Sequence, residues 1–72
     1  MKYSKENLPP IGLVFSDSGG TYEIVGIEHG ELKLKAIEGG KIYDYSLISG
    51  IDRLNDKNWT IKQRPILNYE IF

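Results

Sequence analysis

The chain has 72 residues, a formal net charge of −1 and no cysteine. A chain this short forms one small domain, and without cysteine neither a disulfide nor a thiolate metal site can stabilise it. Balanced charges argue against a protein that coats nucleic acid, and the absence of long apolar runs argues against a secretory signal or a membrane span. We therefore expect a cytoplasmic domain stabilised by aromatic packing, for which dimerisation is a further source of stability.

The N-terminal part of the chain predicts a flexible segment followed by a short strand. Residues 1–10 are mostly polar, and Pro9-Pro10 at their end disfavours a helix. Residues 11–15 are apolar enough for a first strand. Residues 17–20, Asp-Ser-Gly-Gly, then form a dense turn signal.

Residues 21–47 predict two β-hairpins in series, with His29-Gly30 and Gly39-Gly40 as two-residue loops. In this register Ile27 lies opposite Leu32, and Glu28 lies opposite Glu31. One face of the sheet then collects the apolar side chains of Val25, Ile27, Leu32, Leu34, Ala36, Tyr43, Tyr45 and Leu47. The oppositions predicted within this face are Val25–Leu34, Ala36–Tyr43, Leu34–Tyr45 and Leu32–Leu47.

The other face of this meander is predicted to be mixed. Lys35 is placed opposite Asp44, as an ion pair worth about 0.2–1 kcal/mol. Beside it, an apolar group forms at one end of the sheet, with members Tyr22, Ile24, Ile37 and Ile42. An apolar surface on a small domain marks a protein contact, a dimer interface or internal packing.

The last third of the chain predicts a short helix, a strand and an extension. Residues 47–54 have helical apolar spacing with Ser46 as N-cap, although Gly50 weakens the helix by about 1 kcal/mol relative to alanine. Residues 59–62 form a final strand with Trp59 and Ile61 inward. The C-terminal extension, residues 64–72, is too apolar for a free tail and is predicted to pack on the domain or on a partner.

This order of elements over residues 11–63 resembles that of small SH3-like β-barrels, as found in compact phage and mobile-element proteins. The resemblance implies a mainly β fold, a five-stranded antiparallel barrel with a short helix before the last barrel strand. Gly12-Leu13-Val14 also resembles the first strand of KOW- and Tudor-type domains. The chain departs from KOW domains at Asp17 and Ser18, which stand where those domains have a basic loop.

No residue pattern points to catalysis, a cofactor, a metal ion or a small-molecule substrate. His29, the single histidine, is interpreted as a turn residue that tolerates positive φ. The glycines at 19 and 20 lead into a strand and are not followed by lysine, so they indicate a turn and not a phosphate loop. The acid pairs, Asp52 with Asp56 and Glu28 with Glu31, fall in turns or on a helix surface. The chain is predicted not to be an enzyme.

The leading hypothesis is a non-enzymatic protein-binding module. It would act as a phage- or mobile-element-type regulator or inhibitor does, by sterically occupying a surface of its partner. The partner is another protein or a second copy in a homodimer. The predicted contact residues are Tyr22, Ile24, Ile37, Ile42, Tyr69 and Phe72.

The alternative hypothesis is a small nucleic-acid-binding barrel. In a barrel the first and last strands approach each other, which could join the basic residues of two strands into one patch. The residues predicted for this patch are Lys33, Lys35, Lys62 and Arg64.

Overall fold

Five antiparallel strands form one sheet in the order β4-β3-β2-β1-β5 in the computed structural model, which describes residues 2–65. The elements in chain order are β1 (Val14–Asp17), β2 (Gly20–Glu28), β3 (Glu31–Ala36), β4 (Ile42–Ser46), α1 (Leu47–Asn55) and β5 (Thr60–Gln63). The prediction of a mainly β, five-stranded antiparallel domain with a short helix before the last strand is confirmed. Among the described strands, β4 and β5 are the two edges, so the sheet is not closed into a barrel.

The β2–β3 hairpin follows the predicted register near its turn and departs from it further along. His29 and Gly30 have φ values of 52° and 76°, as a type I′ turn requires, and Ile27 lies opposite Leu32. A β-bulge between Ile24 and Gly26 then places Ile24, not Val25, opposite Leu34. The inward placement of Val25 is therefore wrong: Ile24 is fully buried, while Val25 is 38% exposed.

The β3–β4 connection is longer than the predicted two-residue loop. β3 ends at Ala36 and β4 begins at Ile42, so residues 37–41 form the connection. Within it, the Ala36 amide donates to the Lys41 carbonyl at 2.8 Å and closes a loop of residues 37–40. Tyr43 consequently lies opposite Leu34, and Tyr45 opposite Leu32. The oppositions predicted across this loop are wrong by two residues. Because a two-residue shift preserves the faces of a strand, Tyr43 and Tyr45 still face the same side as Leu32 and Leu34.

One face of the sheet is covered by α1 and by the segment that joins it to β5. The side chain of Ser46 accepts a hydrogen bond from the Ser49 amide, which confirms Ser46 as N-cap. Trp59 stacks on Phe15 with 4.1 Å between ring centroids. The buried core cluster comprises Leu13, Phe15, Ile24, Leu32, Leu34, Leu54 and Trp59.

The N-terminal segment, predicted to be flexible, contacts the end of α1. The Tyr3 amide donates to Asn55 Oδ1 at 2.8 Å, and Asn55 Nδ2 donates to the Tyr3 carbonyl at 2.9 Å. Pro9 is fully buried. Of the predicted C-terminal extension, residues 66–72 lie outside the described residues. Within residues 2–65, no helix has the length and hydrophobicity needed to cross a membrane.

Candidate protein-binding surfaces

The structure separates the apolar group predicted for the outer face of the sheet. The bulge at Val25 brings Tyr22 and Ile24 to the core side, together with Ile27. Ile24 is fully buried, so its prediction as a contact residue is wrong. Tyr22 is half-buried, with its ring centroid 5.8 Å from that of Phe15. The other predicted contact residues, Tyr69 and Phe72, lie outside the described residues.

Ile37 and Ile42 are exposed, and two tyrosines join them near the β3–β4 connection. The exposed fractions are 53% for Ile37 and 51% for Ile42. Ile37, Tyr22 and Tyr43 line a shallow cavity of about 380 Å³ between this connection and the β1–β2 turn. The rings of Tyr22 and Tyr43 meet edge to face at 6.1 Å. We call these four residues, Tyr22, Ile37, Ile42 and Tyr43, the Ile37 surface.

The Ile37 surface adjoins the free edge of β4. Among the described strands, β4 pairs with β3 alone, so its outer side presents unpaired backbone groups. Ile42 and Tyr43 are neighbours in this strand and therefore project from opposite faces of the sheet. The Lys41 ammonium lies 5.5 Å from the centre of the Tyr43 ring. An edge strand with apolar side chains on both faces is suited to pairing with a strand from another chain.

The predicted basic residues do not form one patch. Lys33 donates to Asp44 at 2.8 Å and lies 3.9 Å from Glu31. The predicted ion pair of Lys35 with Asp44 is wrong, because Lys35 lies opposite Glu23 and Ile42. The hydrogen bond from Lys33 to Asp44, helped by the surrounding carboxylates, raises the pKa of Lys33 above its usual value.

The other two basic residues lie at the opposite edge of the sheet. Lys62 belongs to β5 and Arg64 follows it, whereas Lys33 and Lys35 belong to β3, with β2 and β1 between them. The predicted approach of the first and last strands is present, since β1 pairs with β5. It does not bring the basic pairs together, because β3 pairs with β2 and β4 instead.

A second surface, which the sequence reasoning missed, is a groove beside β5. It encloses about 660 Å³ and is lined by Tyr3, Leu54, Asn55, Lys57, Trp59, Thr60, Ile61 and Arg64. We call it the Tyr3 groove. Arg64 Nη1 donates to the Tyr3 hydroxyl at 3.2 Å across one part of it. In the sequence, the one indication of this groove was Tyr3, a lone aromatic residue in a polar segment. No sequence pattern linked Tyr3 to the end of α1.

Two of the sites considered for chemistry, His29 and the loop at Asp17, lie in turns. His29 occupies a left-handed turn position. Asp17 Oδ1 accepts hydrogen bonds from the amides of Gly19 at 2.7 Å and Gly20 at 3.0 Å, which makes the loop an Asx-type turn leading into β2. Within residues 2–65, no cluster of three or more histidine or acidic side chains could hold a metal ion.

Comparison with protein-family models, curated proteins and solved structures finds no match to this chain.

Proposed function

We propose that this chain is a non-enzymatic protein-binding module that acts by occupying a surface of its partner, as a small regulator or inhibitor does. The observation that supports this function is the Ile37 surface, whose four apolar side chains are partly or largely exposed and of which two, Ile42 and Tyr43, belong to the edge strand β4. Apolar area buried on binding contributes about 25 cal/mol per Å², and aromatic side chains supply much area per residue.

The mode of binding that fits this surface is strand addition. A partner strand beside β4 would satisfy its outward amide and carbonyl groups, which supplies affinity without regard to sequence. Alternate side chains of that strand would meet Ile42 on one face and Tyr43 on the other, which supplies specificity. The cavity beside Ile37 would accept a partner side chain, with apolar contacts from Tyr22 and Tyr43 and a charged one from Glu38.

We further propose an SH3-like class for the domain. Support comes from the pairing of the first strand with the last and from the short helix between β4 and β5. The domain would be an unclosed member of that class, because β4 and β5 remain separate edges. A shared fold does not assign function, so the binding proposal depends on the surface itself.

The nucleic-acid alternative has less support. Phosphate binding requires cations that are free to replace counterions, and Lys33 is already paired with two carboxylates. Lys35 faces Glu23 across the β2–β3 pair. The overall charge of −1 adds no attraction for a polyanion.

A displayed library of random peptides tests the proposed function, with the folded full chain as bait. Peptides enriched on the unaltered chain should lose at least about tenfold in affinity, equivalent to about 1.4 kcal/mol, for Ile37→Asp/Ile42→Asp. The matched control is Ile48→Asp, at an isoleucine of α1 that is 48% exposed and lies outside the Ile37 surface. Far-ultraviolet circular dichroism verifies that each variant folds.

Two results would count against this proposal. One is enrichment of no peptide above background, and the other is equal loss of affinity in Ile48→Asp and in the double variant. Light scattering during size-exclusion chromatography tests the homodimer form of the proposal. A dimer that becomes monomeric only in the double variant would identify a second copy as the partner.

A further inference from the structure

We propose that the Tyr3 groove is the binding site of the chain's own C-terminal segment, residues 66–72. The groove lies where the described chain ends, because Arg64 lines it and Pro65 follows. Pro65 packs against Gly12, two residues before β1, where a Cβ atom on Gly12 would lie 3.2 Å from the Pro65 Cβ. Residue 66 is therefore separated by one residue from Arg64, which lines the groove, so the groove is close to the point from which the segment extends.

The interior of the groove is suited to apolar side chains. Leu54 and Trp59 lie beneath it, only 5% and 6% exposed, and Tyr3 and Ile61 pack partly against the same core. Its volume of about 660 Å³ is within the range of about 300–1,000 Å³ that is usual for binding cavities. An apolar concavity of this size binds most favourably a ligand that removes its lining from water.

The backbone of β5 offers a second kind of contact. Among the described strands, β5 pairs with β1 alone, and its other edge is free. Thr60 and Ile61 belong to both this strand and the groove lining. A segment extended along the groove can therefore pair with β5 while its side chains enter the cavity.

The composition of residues 66–72, Ile-Leu-Asn-Tyr-Glu-Ile-Phe, complements the groove. Five of these residues are aliphatic or aromatic, and Glu70 is the one charged side chain among them. Among the described residues, the lining of the groove carries two cations, Lys57 and Arg64, and no carboxylate. The apolar residues match the interior, and Glu70 matches these two cations.

The tether makes occupation in cis favourable. Seven extended residues reach about 23 Å, and the shortest dimension of the domain is 24 Å. A segment of this length can extend along one side of the domain from Arg64, and a short tether gives an effective concentration of the order of millimolar. Tyr69 and Phe72 are then occupied within the chain, so binding at the Ile37 surface does not depend on them.

Nuclear Overhauser effects in the unaltered full chain test this proposal without any substitution. Trp59 is the only tryptophan, so its indole protons are an assignable probe of the groove. We expect contacts from these protons to the side chains of Leu67, Tyr69 or Ile71. Complete assignment of both groups without any such contact would overturn the proposal.

Disulfide trapping separates the cis occupant from a second copy. The chain has no cysteine, so Thr60→Cys can be combined in turn with Leu67→Cys, Tyr69→Cys or Ile71→Cys. At least one pair should form an intramolecular disulfide under mild oxidation, because a disulfide needs Cα atoms within about 7 Å. The control places the first cysteine at Ile48 of α1, outside the groove. Disulfide-linked dimers, or equal intramolecular yields from Ile48→Cys, would overturn the proposal.

The tests of the Tyr3 groove are independent of the test of the proposed function. Loss of peptide binding in Ile37→Asp/Ile42→Asp concerns the edge of β4, whereas the trapped disulfide concerns the groove beside β5. Either result can fail while the other stands.

Discussion

Leu32 lies against the backbone of α1 at Gly50, so close that a Cβ atom at Gly50 would overlap Leu32 Cδ1. Both residues are buried, and Leu32 is fully so. The glycine that weakens the helix by its propensity therefore permits the helix to approach the sheet. At Gly50, helix propensity favours a larger residue and packing against Leu32 favours glycine. The relative size of these two contributions decides how a substitution changes stability.

Gly50→Ala should destabilise the domain although alanine is the better helix former. The gain in helix propensity is about 1 kcal/mol, whereas forcing a methyl group into a packed core costs about 1–3 kcal/mol. We expect a net loss of about 1 kcal/mol in the free energy of unfolding, measured by urea denaturation.

Two variants control this prediction. Ser49→Ala, at an exposed position of the same helix, should change stability by about 0.5 kcal/mol or less. Leu32→Ala removes the overlapping atom, so Gly50→Ala/Leu32→Ala should lose less than the sum of the single losses. A Gly50→Ala variant more stable than the unaltered chain would contradict the prediction.

The bulge in β2 predicts opposite sensitivities for two adjacent residues. Ile24→Ala should cost about 2–5 kcal/mol, because Ile24 is fully buried in the core cluster. Val25→Ala should cost about 0.5 kcal/mol or less, because Val25 is displaced from the ladder and exposed. Urea denaturation of both variants measures the difference. A larger loss of unfolding free energy for Val25→Ala than for Ile24→Ala would support the register without a bulge and contradict the structure.

The sequence predicted the elements of the fold better than their register. Local patterns located the start of α1 at the Ser46 cap and the β2–β3 turn at His29-Gly30. The first strand was predicted at residues 11–15, whereas β1 is Val14–Asp17. Val25 is apolar and suits either face of a strand, so it did not reveal the bulge. The local signal was Gly26, because an isolated glycine within a strand often marks a bulge. The Gly39-Gly40 pair did locate a connection, but glycines at φ 92° and 72° also fit a longer loop.

The candidate surfaces were less predictable than the fold. The sequence predicted that Ile37 and Ile42 lie on the outer face near the Gly39-Gly40 turn, and both are exposed, although Ile37 lies in the β3–β4 connection and not in a strand. The Tyr3 groove depends on Tyr3 and Asn55, whose contact joins residues 52 positions apart. No periodicity relates such positions, so only the folded chain brings them together.

Asn55 should hold the N-terminal segment against α1. Its side chain accepts from the Tyr3 amide and donates to the Tyr3 carbonyl, in a partly buried position. Each such bond contributes about 1 kcal/mol, so Asn55→Ala should lose about 1–2 kcal/mol. The Tyr3 amide should also exchange its hydrogen faster in this variant.

Asn58→Ala is the matched control for Asn55→Ala, since Asn58 is exposed and lies three residues further along the chain. It should leave Tyr3 amide exchange and stability close to those of the unaltered chain. Equal protection of the Tyr3 amide in Asn55→Ala and Asn58→Ala would show that the two bonds do not secure the segment.

Lys33 should titrate above its usual pKa of 10.5 because its hydrogen bond to Asp44 favours the charged ammonium. The raised pKa means that the folded state holds this proton more tightly than the unfolded state. The resulting stabilisation is fully present below pH 10.5 and is lost as pH rises through the folded-state pKa.

Asp44→Asn should lower the Lys33 pKa, as measured by a nuclear magnetic resonance titration of the Lys33 side chain. Glu23→Gln is the control, because Glu23 faces Lys35 and not Lys33. An unchanged Lys33 pKa in Asp44→Asn would show that the ion pair does not persist in solution.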